Sequence, residues 1–519
     1  MDTMFLLYSI IILFLAGALA DYAELAYLWQ LKEYRPDRLK DFLGTVSGKK
    51  FIFSYKIIVR PILFFLLFLI SPTATILALI FSLDILGSLI KLGRHRFNRP
   101  KFTAKVILIL AAAIMIEGAI LSVAVVYPLI LILAISRFII ISLSVLLVNL
   151  LTGLAKKYYY KQAAEKMASY KNLTVIGVTG SYGKTTVKNF LDQMLSSKFK
   201  TIKTPKNINT EFGVAKFILN TDFSQIDIFI VEMGAYKIGE IKLVSSIVKP
   251  KIGILTAINE QHLPLFGNIK NTQTAKYELL RSLLADGLAI TNSDNEYCRE
   301  FIPELKCQVK TFGQSAEFKP DCLISNIISG SGGLEFRATP DYEIKTNIIG
   351  NHNAMNIAPV ILAAEHLGFS KTEIEKQAEK FKLPEATMEV IKYGASVVID
   401  DSYNANPASF AAALKFLATY KINGRKIVVS RGMIELGQAS TAAHETVGRL
   451  ISETADEFII ISPDSVAAFK SGAVNSNLKI ITMFDQKKLL EYIKKNKNQT
   501  NLILFEGRMP EIIKKEIKS

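Results

Sequence analysis

Residues 177–186 read Gly177-Val178-Thr179-Gly180-Ser181-Tyr182-Gly183-Lys184-Thr185-Thr186. An apolar run at 173–178 precedes them and predicts a buried strand, and the pattern of 184–195 predicts a helix. Strand, tight turn and helix amino terminus form the context of a phosphate-binding loop, because glycines let backbone N–H groups approach phosphate oxygens. The stretch therefore predicts an α/β domain that binds nucleotide phosphates.

The side chains of this loop suit the same purpose. Lys184 can neutralise the β- and γ-phosphates, and the Thr185 hydroxyl can hold Mg²⁺. The standard spacing places the first glycine at position 178, which is Val178 here, while the glycine stands at Gly177. A chance Gly-Lys-Thr turn is the alternative. The predicted nucleotide contacts of the loop are Thr179, Gly180, Ser181, Gly183, Lys184, Thr185 and Thr186.

Residues 1–150 differ from the rest of the chain in being dominated by long apolar stretches. A helix needs about 20 apolar residues to cross a bilayer. Five segments meet this requirement approximately and predict a transmembrane helical region: 4–29, 55–71, 74–91, 105–126 and 128–150.

The net charge of +16 first suggests nucleic acid as a partner, but its distribution favours membrane topology. Residues 1–171 hold 20 of the 62 basic residues and 9 of the 46 acidic ones, mainly in loops between apolar runs. The loops after the first, third and fifth segments are basic and the other two are not, which predicts the amino terminus outside and the soluble part in the cytoplasm. A signal peptide ending at Ala18-Leu19-Ala20 is the alternative, but Met1-Asp2-Thr3-Met4 carries no positive charge.

Charged and thiol side chains in this sequence leave two smaller questions. Four charges lie within or near the spans, and they either form a site for a polar or lipid-linked ligand or pair structurally. They are Arg60, Asp84, Glu117 and Arg137. The three cysteines Cys298, Cys307 and Cys322 show no CxxC pair, so we expect reduced thiols in a cytosolic domain.

Seven motifs along residues 172–519 resemble, in order, those of the Mur ligases, the cytoplasmic enzymes that build the peptide stem of the bacterial cell wall. The loop above is the first. The others are Thr204-Pro205-Lys206-Asn207-Ile208-Asn209-Thr210-Glu211-Phe212-Gly213, Val231-Glu232-Met233-Gly234-Ala235 with Gly239-Glu240-Ile241, Asn259-Glu260-Gln261-His262-Leu263, Thr274-Ala275-Lys276-Tyr277-Glu278, Gly350-Asn351-His352-Asn353-Ala354-Met355-Asn356 and Asp400-Asp401-Ser402-Tyr403-Asn404-Ala405-Asn406-Pro407.

This resemblance implies an ATP-dependent amide ligase of peptidoglycan precursor synthesis. It implies that a carboxylate attacks the γ-phosphate to give an acyl phosphate, from which an amine then displaces phosphate, with ATP and two Mg²⁺ ions as cofactors. The Asp-Asp-Ser-Tyr-Asn-Ala-Asn-Pro segment resembles the branch that adds D-alanyl-D-alanine to a muramoyl peptide. The implied partners are a nucleotide- or lipid-linked cell-wall peptide precursor, a dipeptide or amino-acid amine, and membrane lipid, with no nucleic acid.

The resemblance also assigns site residues. Glu232, at the end of an apolar strand, looks like a Mg²⁺ ligand; a surface carboxylate is the alternative. His262 looks like a further metal and catalytic group, although a lone histidine is more often packed or at the surface. Lys276 looks like the carbamylated lysine of the family, whose carbamate would be a metal ligand. With Lys184 it completes the predicted catalytic set.

Polar residues near the nucleotide come from two later motifs. Asn353 and Asn356 share a helix face and could read the adenine edge, or could cap the helix. Asp401 is expected to contact ribose or phosphate, with Tyr403 and Asn404 beside it; a plain turn before a helix is the alternative. Two strand ends, Arg431 to Gly437 and Glu506 to Arg508, are further candidate substrate contacts.

These patterns predict four regions: a helical transmembrane region at 1–150, a basic linker at 151–171, a phosphate-loop central domain at 172–383, and a Rossmann-like domain at 384–519. Two features depart from the family. Membrane segments stand where a uridine-nucleotide-binding domain is usual, and Thr387 stands where an arginine is common, a cation that Arg431 or Arg508 could replace. A polyglutamate-type ligase and a membrane scaffold with a degenerate ligase domain remain alternative functions.

Overall fold

The computed structural model divides into two compact units, Met1–Lys157 and Tyr158–Ser519. The two units are described separately below. The residues that it describes are 3–52, 62, 66, 74–93, 98–123, 127–206, 208–259, 266–330, 332–403, 405–434, 436, 439–473 and 477–518.

Helices make up the first unit. Within the described residues, three segments are long and apolar enough to cross a membrane: Tyr8–Leu31, Ala104–Val123 and Ile132–Ser169. They correspond to three of the five predicted spans, whereas the predicted span 55–71 lies almost wholly outside the described residues. The helices are Thr3–Leu31, Pro36–Gly44, Val46–Ile52, Ala74–Gly93, Ala104–Val123 and Tyr127–Ser169.

A buried ion cluster joins three helices of this unit. Arg137 lies 2.8 Å from Asp21 and 3.5 Å from Glu117, and it also donates a hydrogen bond to the Phe14 carbonyl. All three charged side chains are almost fully buried. Their mutual pairing fits the structural alternative for Glu117 and Arg137, because a paired charge is tolerated in an apolar environment. Arg60 lies outside the described residues.

The residues predicted to form a linker are helical as far as Ser169. The last helix begins at Tyr127 and ends at Ser169, so 151–169 are helical. The second unit begins at Tyr158, and the domain boundaries predicted at 171 and 383 within it remain predictions.

A nine-stranded sheet forms the centre of the second unit. Its strand order is β2-β3-β1-β4-β5-β6-β7-β8-β9, parallel from β2 through β7 and antiparallel from β7 through β9. The strands are β1 Thr174–Thr179, β2 Thr201–Lys203, β3 Ile228–Glu232, β4 Ile252–Leu255, β5 Leu288–Asn292, β6 Gln308–Gly313, β7 Cys322–Gly330, β8 Gly333–Ala338 and β9 Tyr342–Thr346.

Helices cover both faces of this sheet, as expected for a parallel sheet whose strands are apolar runs. One core packs β1 against the helix Lys184–Leu195, with Phe190 stacked on Phe381 at 4.7 Å between ring centroids. A second core lies on the other face. The remaining helices are Glu211–Leu219, Glu240–Val248, Ile269–Arg281, Glu296–Arg299, His352–His366 and Lys371–Ala378, with 3₁₀ turns at Ile302–Glu304 and Ala316–Phe318.

The last part of the chain forms a six-stranded sheet of order β10-β11-β15-β12-β13-β14. It is parallel except for the edge pair β10 and β11, and its strands and helices agree with the predicted elements within a few residues. The strands are β10 Glu389–Tyr393, β11 Ser396–Asp401, β12 Lys426–Ser430, β13 Glu457–Ile460, β14 Lys479–Thr482 and β15 Leu502–Glu506, and the helices are Pro407–Thr419, Ser440–Thr454, Val466–Gly472, Gln486–Asn496 and Glu511–Ile517, with a 3₁₀ turn at Pro463–Ser465.

Candidate functional site

The glycine-rich loop lies between β1 and the helix Lys184–Leu195, as predicted. Gly180 has φ +148° and Gly183 has φ +80°, both in the region that favours glycine. A Cβ on Gly180 would lie 2.0 Å from the Thr256 hydroxyl. Any side chain at this position would therefore displace the strand end that supports the loop.

The segment after β4 holds the loop in place. Ser181 donates its N–H to the Ala257 carbonyl at 2.7 Å, and its hydroxyl accepts from the N–H of Asn259 at 3.1 Å. The Thr256 hydroxyl donates to the Tyr182 carbonyl. The loop is thus fixed by backbone contacts before any phosphate binds, which reduces the ordering cost of binding.

Lys184 folds back over this loop. Its ammonium donates to the carbonyls of Gly180 at 2.6 Å and Ser181 at 3.2 Å. Burial lowers the pKa of Lys184, and the charge of Glu232 acts in the opposite direction. A partly buried lysine facing the loop is suited to bind a phosphate oxygen.

Glu232 is the centre of the site. It ends β3, is 2% exposed, and accepts hydrogen bonds from the Thr185 hydroxyl and the Asn209 amide, each at 3.0 Å. Its second oxygen also pairs with the Lys188 ammonium at 2.9 Å. Burial raises the pKa of Glu232, but the charges of Lys188 and Lys184 outweigh it and the net pKa is lowered, so the group is an anion at neutral pH.

Lys188 was absent from the sequence-based site, because its role depends on Glu232, a partner distant in sequence. It follows Lys184 by four residues on one helix, and residues four apart share a face. Its side chain is 1% exposed and its ammonium pairs with Glu232. A buried lysine is expected only where a partner compensates its charge.

Lys276 lies on the helix Ile269–Arg281 and is 2% exposed. Burial lowers the pKa of Lys276 well below its ordinary value, and the charge of Lys184 lowers it further, against the opposing charge of Glu240. This environment therefore favours the neutral amine over the ammonium. Only a neutral amine can add carbon dioxide, so this environment suits the carbamylation that the resemblance implied.

Gly177, which stands one position before the first glycine of the standard loop spacing, has a packing role. A Cβ on Gly177 would lie 2.7 Å from Leu279 and 3.0 Å from Met233. Leu279 belongs to the same helix as Lys276, three residues further along. The absence of a side chain at Gly177 lets this helix pack directly on β1.

The two predicted adenine-reading asparagines lie next to the loop. Asn356 donates its amide to Asn353 at 2.9 Å, and Asn353 donates to the Ile349 carbonyl at 2.7 Å. A Cβ on Gly183 would lie 2.7 Å from the Asn356 amide oxygen. The helix His352–His366 therefore borders the phosphate loop, although Asn353 is buried by its own helix and only Asn356 is partly exposed.

Tyr403 brings the last domain to the loop. The ammonium of Lys206 lies 5.3 Å from the ring centroid of Tyr403. Burial raises the pKa of Tyr403, the charge of Glu232 adds to this, and a hydrogen bond with Thr185 lowers it. These neighbours place the tyrosine beside the groups that surround Glu232.

Asp401 occupies a different environment. It is 6% exposed, accepts the N–H of Met388 at 3.2 Å, and is the strand partner of Glu506 on β15. Burial raises the pKa of Asp401 to about 7 and raises that of Glu506 well above its ordinary value, with the charge of Asp401 adding to the latter. Asp401 faces Met388 and Glu506 rather than open solvent.

Some predicted groups cannot be placed. His262 and Asn404 lie outside the described residues, and their roles remain predictions. Among the described residues, no group of three or more His, Cys, Asp or Glu side chains could hold a metal ion. Among the described residues, Glu232 and the Thr185 hydroxyl, 3.0 Å apart, offer oxygen donors of the kind that Mg²⁺ prefers.

Two family matches cover most of the second unit. The Mur ligase middle domain matches residues 178–364, and the glutamate ligase domain of Mur ligases matches residues 388–509. Together they cover more than half of the chain, and they contain every site residue that the sequence predicted.

Two curated relatives of this chain share the same name. The UDP-N-acetylmuramoyl-tripeptide–D-alanyl-D-alanine ligase of Bacillus subtilis (strain 168) is 28% identical over 367 residues, which is 69% of this chain and 79% of that protein. The ligase of the same name from Buchnera aphidicola is 31% identical over 297 residues, 56% of this chain and 64% of that protein.

Solved structures agree with these relatives in fold. A MurF crystal structure from Acinetobacter baumannii gives a TM-score of 0.63 at 26% identity, covering 70% of this chain and 81% of that one. MurF ligase from Thermotoga maritima in complex with ADP gives 0.61 at 25% identity, covering 70% and 84%. With both family domains in sequence order and this fold around the phosphate loop, the chain belongs to the Mur ligase family.

Proposed function

We propose that this protein is an ATP- and Mg²⁺-dependent ligase that adds D-alanyl-D-alanine to the carboxylate of a muramoyl tripeptide. The observation that carries this proposal is the arrangement around Glu232, where a buried anion, the Thr185 hydroxyl and two lysines meet at the phosphate loop. The names of the curated relatives supply the substrates.

The chemistry requires cations where charge develops on the transferring phosphoryl group. Lys184 binds the β- and γ-phosphates and leaves its present partners, the Gly180 and Ser181 carbonyls. Glu232 and Thr185 would hold Mg²⁺, which when bound neutralises phosphate charge. The donor set fits this ion, because both side chains offer oxygen and Glu232 is ionised.

Lys188 keeps Glu232 ionised and oriented. Because the pair is almost completely buried, the carboxylate cannot rotate toward solvent. Asn209 fixes the other oxygen at 3.0 Å. The acyl-phosphate step therefore begins from a preorganised site, in which the acceptor carboxylate attacks the γ-phosphate and ADP leaves.

Lys276 and His262 complete the proposed catalytic set. The neutral Lys276 amine adds carbon dioxide, releasing a proton and giving an anionic carbamate that would serve as a second metal ligand. His262 is proposed as another ligand on the sequence resemblance alone. Two Mg²⁺ ions are proposed on the same basis.

Two groups of polar residues near this centre are proposed as contacts of the nucleotide and the acceptor. Asn353 and Asn356 border the loop on the helix His352–His366 and are proposed as adenine contacts. Asp401, Tyr403 and Asn404 belong to the last domain and are proposed as ribose, phosphate or acceptor contacts. Tyr403 is the best supported, because it lies beside Lys206 and Thr185.

A cell-membrane location is part of the proposal. Three described helices are long and apolar enough to span a bilayer, and the basic loops of the sequence favour a cytoplasmic ligase part with the amino terminus outside. A multi-pass bundle of five helices is proposed from the sequence. Membrane lipid is then a permanent partner, and no nucleic acid is expected.

The experiment is a reaction screen with the full-length protein reconstituted in lipid nanodiscs. ATP, Mg²⁺, D-alanyl-D-alanine and UDP-linked tripeptide are supplied together and singly, and product is identified by mass spectrometry. We expect phosphate release only when acceptor and dipeptide are both present, with a mass gain equal to the dipeptide less water. Release that ignores the dipeptide would refute the proposal.

A lipid-linked acceptor is a second candidate, because the apolar first unit brings the chain to a membrane. The same nanodiscs are loaded with lipid-linked tripeptide and compared with the UDP-linked form at equal concentration. Faster turnover of the lipid-linked form supports the second candidate, and equal or faster turnover of the soluble form rejects it.

Two other functions are separated by the same screen. A polyglutamate-type ligase would release phosphate with glutamate in place of the dipeptide. A scaffold that only senses nucleotide would bind ADP without any amine-dependent release, and Lys184→Ala would then change binding but no reaction rate.

A further inference from the structure

Two arginines at neighbouring strand ends have no part in the chemistry described so far. Arg431 follows β12 and Arg508 follows β15, and these parallel strands are paired in register, Ser430 opposite Glu506. Both residues reach solvent, although the guanidinium of Arg431 is partly buried. Because carboxyl ends of parallel strands form one edge, the two guanidinium groups belong to the same rim of the sheet, where ligands bind in open α/β folds.

The backbone that carries Arg431 is rigidly built. Ser465 donates its hydroxyl to the Arg431 carbonyl at 3.1 Å, and Met433 donates its N–H to Nε2 of His444 at 2.9 Å. Between them Gly432 has φ +88°, and a Cβ there would lie 2.7 Å from both His444 and Ser465. The turn thus tolerates no side chain at its centre, and these contacts fix the backbone at Arg431.

His444 remains an acceptor in this turn because of its second contact. Its Nδ1 donates to the Ser440 carbonyl at 2.6 Å, so Nε2 is free to accept from Met433. Burial lowers the pKa of His444, which keeps the ring neutral. Both ring nitrogens of His444 are used to fix the turn that carries Arg431, which indicates that the position of this arginine matters.

The two arginines also lie close to each other. The position of a Cβ on Gly507 is 4.0 Å from Cγ of Arg431, and Arg508 is the next residue. Burial of the guanidinium and the charge of Arg508 both lower the pKa of Arg431, while Asp464 opposes them. In the described part of the chain, neither guanidinium forms an ion pair.

Tyr403 connects this rim to the reaction centre. Arg508 lowers the pKa of Tyr403, and Thr185 and Glu232 also act on it. The Cβ position of Gly507 lies 3.2 Å from Ala405, two residues beyond Tyr403. Arg508 and the phosphate-loop residue Thr185 are therefore both neighbours of Tyr403.

We propose that Arg431 and Arg508 bind the terminal carboxylate of the incoming dipeptide and so place its amine at the acyl phosphate. This proposal rests on the proposed function. A guanidinium matches a carboxylate through two parallel hydrogen bonds, and two of them at one rim define both position and orientation. A two-residue peptide spans about 7 Å, so a carboxylate held at this rim leaves the amine a short reach toward the loop.

A nucleotide phosphate would offer the same anionic oxygens, and the missing arginine at Thr387 makes that source relevant. The observations favour the carboxylate. Lys184 already lies over the phosphate loop, whereas the arginines follow β12 and β15 of the last domain, where Arg508 is a neighbour of Tyr403. The two sources are distinguished by which substrate loses affinity when an arginine is removed.

The test uses the full-length protein in nanodiscs with ATP, Mg²⁺ and UDP-linked tripeptide. D-alanyl-D-alanine is compared with its carboxamide, which keeps the amine and removes the negative charge. We expect the wild type to show at least a tenfold lower KM for the acid than for the amide. Arg431→Gln and Arg508→Gln should each remove most of this preference by raising the KM of the acid, with KM for ATP unchanged.

Two further variants act as controls. Arg431→Lys keeps the charge but loses the forked geometry, and it should recover part of the acid preference. Arg449→Gln removes an exposed arginine on the helix Ser440–Thr454 of the same domain and should leave every parameter unchanged.

The outcomes separate this inference from the proposed function. If the wild type joins both acid and amide with equal KM, the ligase function stands and the carboxylate site is refuted. A variant that raises KM for ATP instead assigns the arginines to the nucleotide and also refutes it. If the wild type joins neither, the proposed function fails, and calorimetric titration of D-alanyl-D-alanine decides the site: binding that Arg431→Gln abolishes supports it, and absent or unchanged binding overturns it.

Discussion

Glu232 and Glu506 occupy equivalent places in the two sheets and behave in opposite ways. Each is the last residue of a parallel strand, and each is at most 2% exposed. Lys188 pairs with Glu232, and the net pKa of that carboxyl is lowered. Burial and the charge of Asp401 raise the pKa of Glu506. Burial alone favours the neutral acid in both, so the neighbouring charge decides which carboxyl is ionised.

The largest expected effect comes from removing the cation beside Glu232. Lys188→Met leaves an uncompensated buried carboxylate, which should cost about 3–5 kcal/mol of folding free energy and abolish ligase turnover. Thermal unfolding and amine-dependent phosphate release measure the two effects. The double variant Lys188→Met with Glu232→Gln should regain most of the stability without activity, and a double variant as unstable as the single one would contradict this explanation.

A smaller loss of activity is expected when the Thr185 hydroxyl, which donates to Glu232 at 3.0 Å, is removed. Thr185→Val keeps the shape and removes the oxygen, so kcat should fall by roughly a hundredfold, in the range found when one positioned polar group is removed. The Mg²⁺ concentration at half-maximal rate should rise. Thr185→Ser restores the hydroxyl and should recover most of the rate; an equally inactive serine variant would argue for packing instead.

The carboxyls of Asp401 and Glu506, whose pKa values are raised, should make the folded state less stable as the pH rises. The pKa of Asp401 is raised from 3.8 to about 7, so the folded state holds this proton more tightly than the unfolded state. The contribution of this proton to the free energy of unfolding is complete below pH 3.8 and is lost as the pH rises through about 7. The free energy falls by at most about 1.4 kcal/mol per pH unit. Glu506 adds to the loss in the same direction at higher pH.

Hydrogen exchange of β11 and β15 between pH 5 and 8 measures this effect, after correction for the intrinsic rate. Asp401→Asn removes the proton equilibrium and should flatten the profile relative to the wild type. An unchanged slope in the variant would show that Asp401 does not carry the effect.

The smallest effect is expected where the paired cations are exposed. Glu457 is 1% exposed and pairs with Arg425 at 2.8 Å and Lys479 at 3.4 Å, whose side chains are 46% and 64% exposed. Lys479→Met should therefore cost no more than about 1 kcal/mol, because solvent screens the pair and Arg425 remains. A loss of folding free energy as large as that of Lys188→Met would mean that solvent exposure of the cation does not weaken the ion pair.

Local sequence was enough to predict the phosphate loop, the strand that ends at Glu232, and the alternation of the last domain. These features depend on short-range patterns: glycine spacing, apolar runs and helix periodicity. The ligase class followed from motif order, and the family matches confirm it.

Other features depend on contacts distant in sequence and could not be predicted. Lys188 reads as an ordinary helix lysine until β3 places Glu232 against it, 44 residues later. The three-stranded antiparallel extension β7–β9 was also not predicted. In the first unit, the pairing of Arg137 with Asp21 joins residues 116 apart, and only the folded arrangement distinguishes it from a ligand site.

A substitution at Gly177 should separate the binding of nucleotide from the carbamylation of Lys276 by carbon dioxide. Its missing Cβ sets the spacing between β1 and the helix that carries Lys276, since Leu279 occupies that space. Gly177→Ala should therefore push the helix outward while Gly180 and Gly183 keep the loop. The enzyme would then retain affinity for ADP by calorimetry but require added bicarbonate for full turnover, a phenotype that a damaged phosphate loop would not produce.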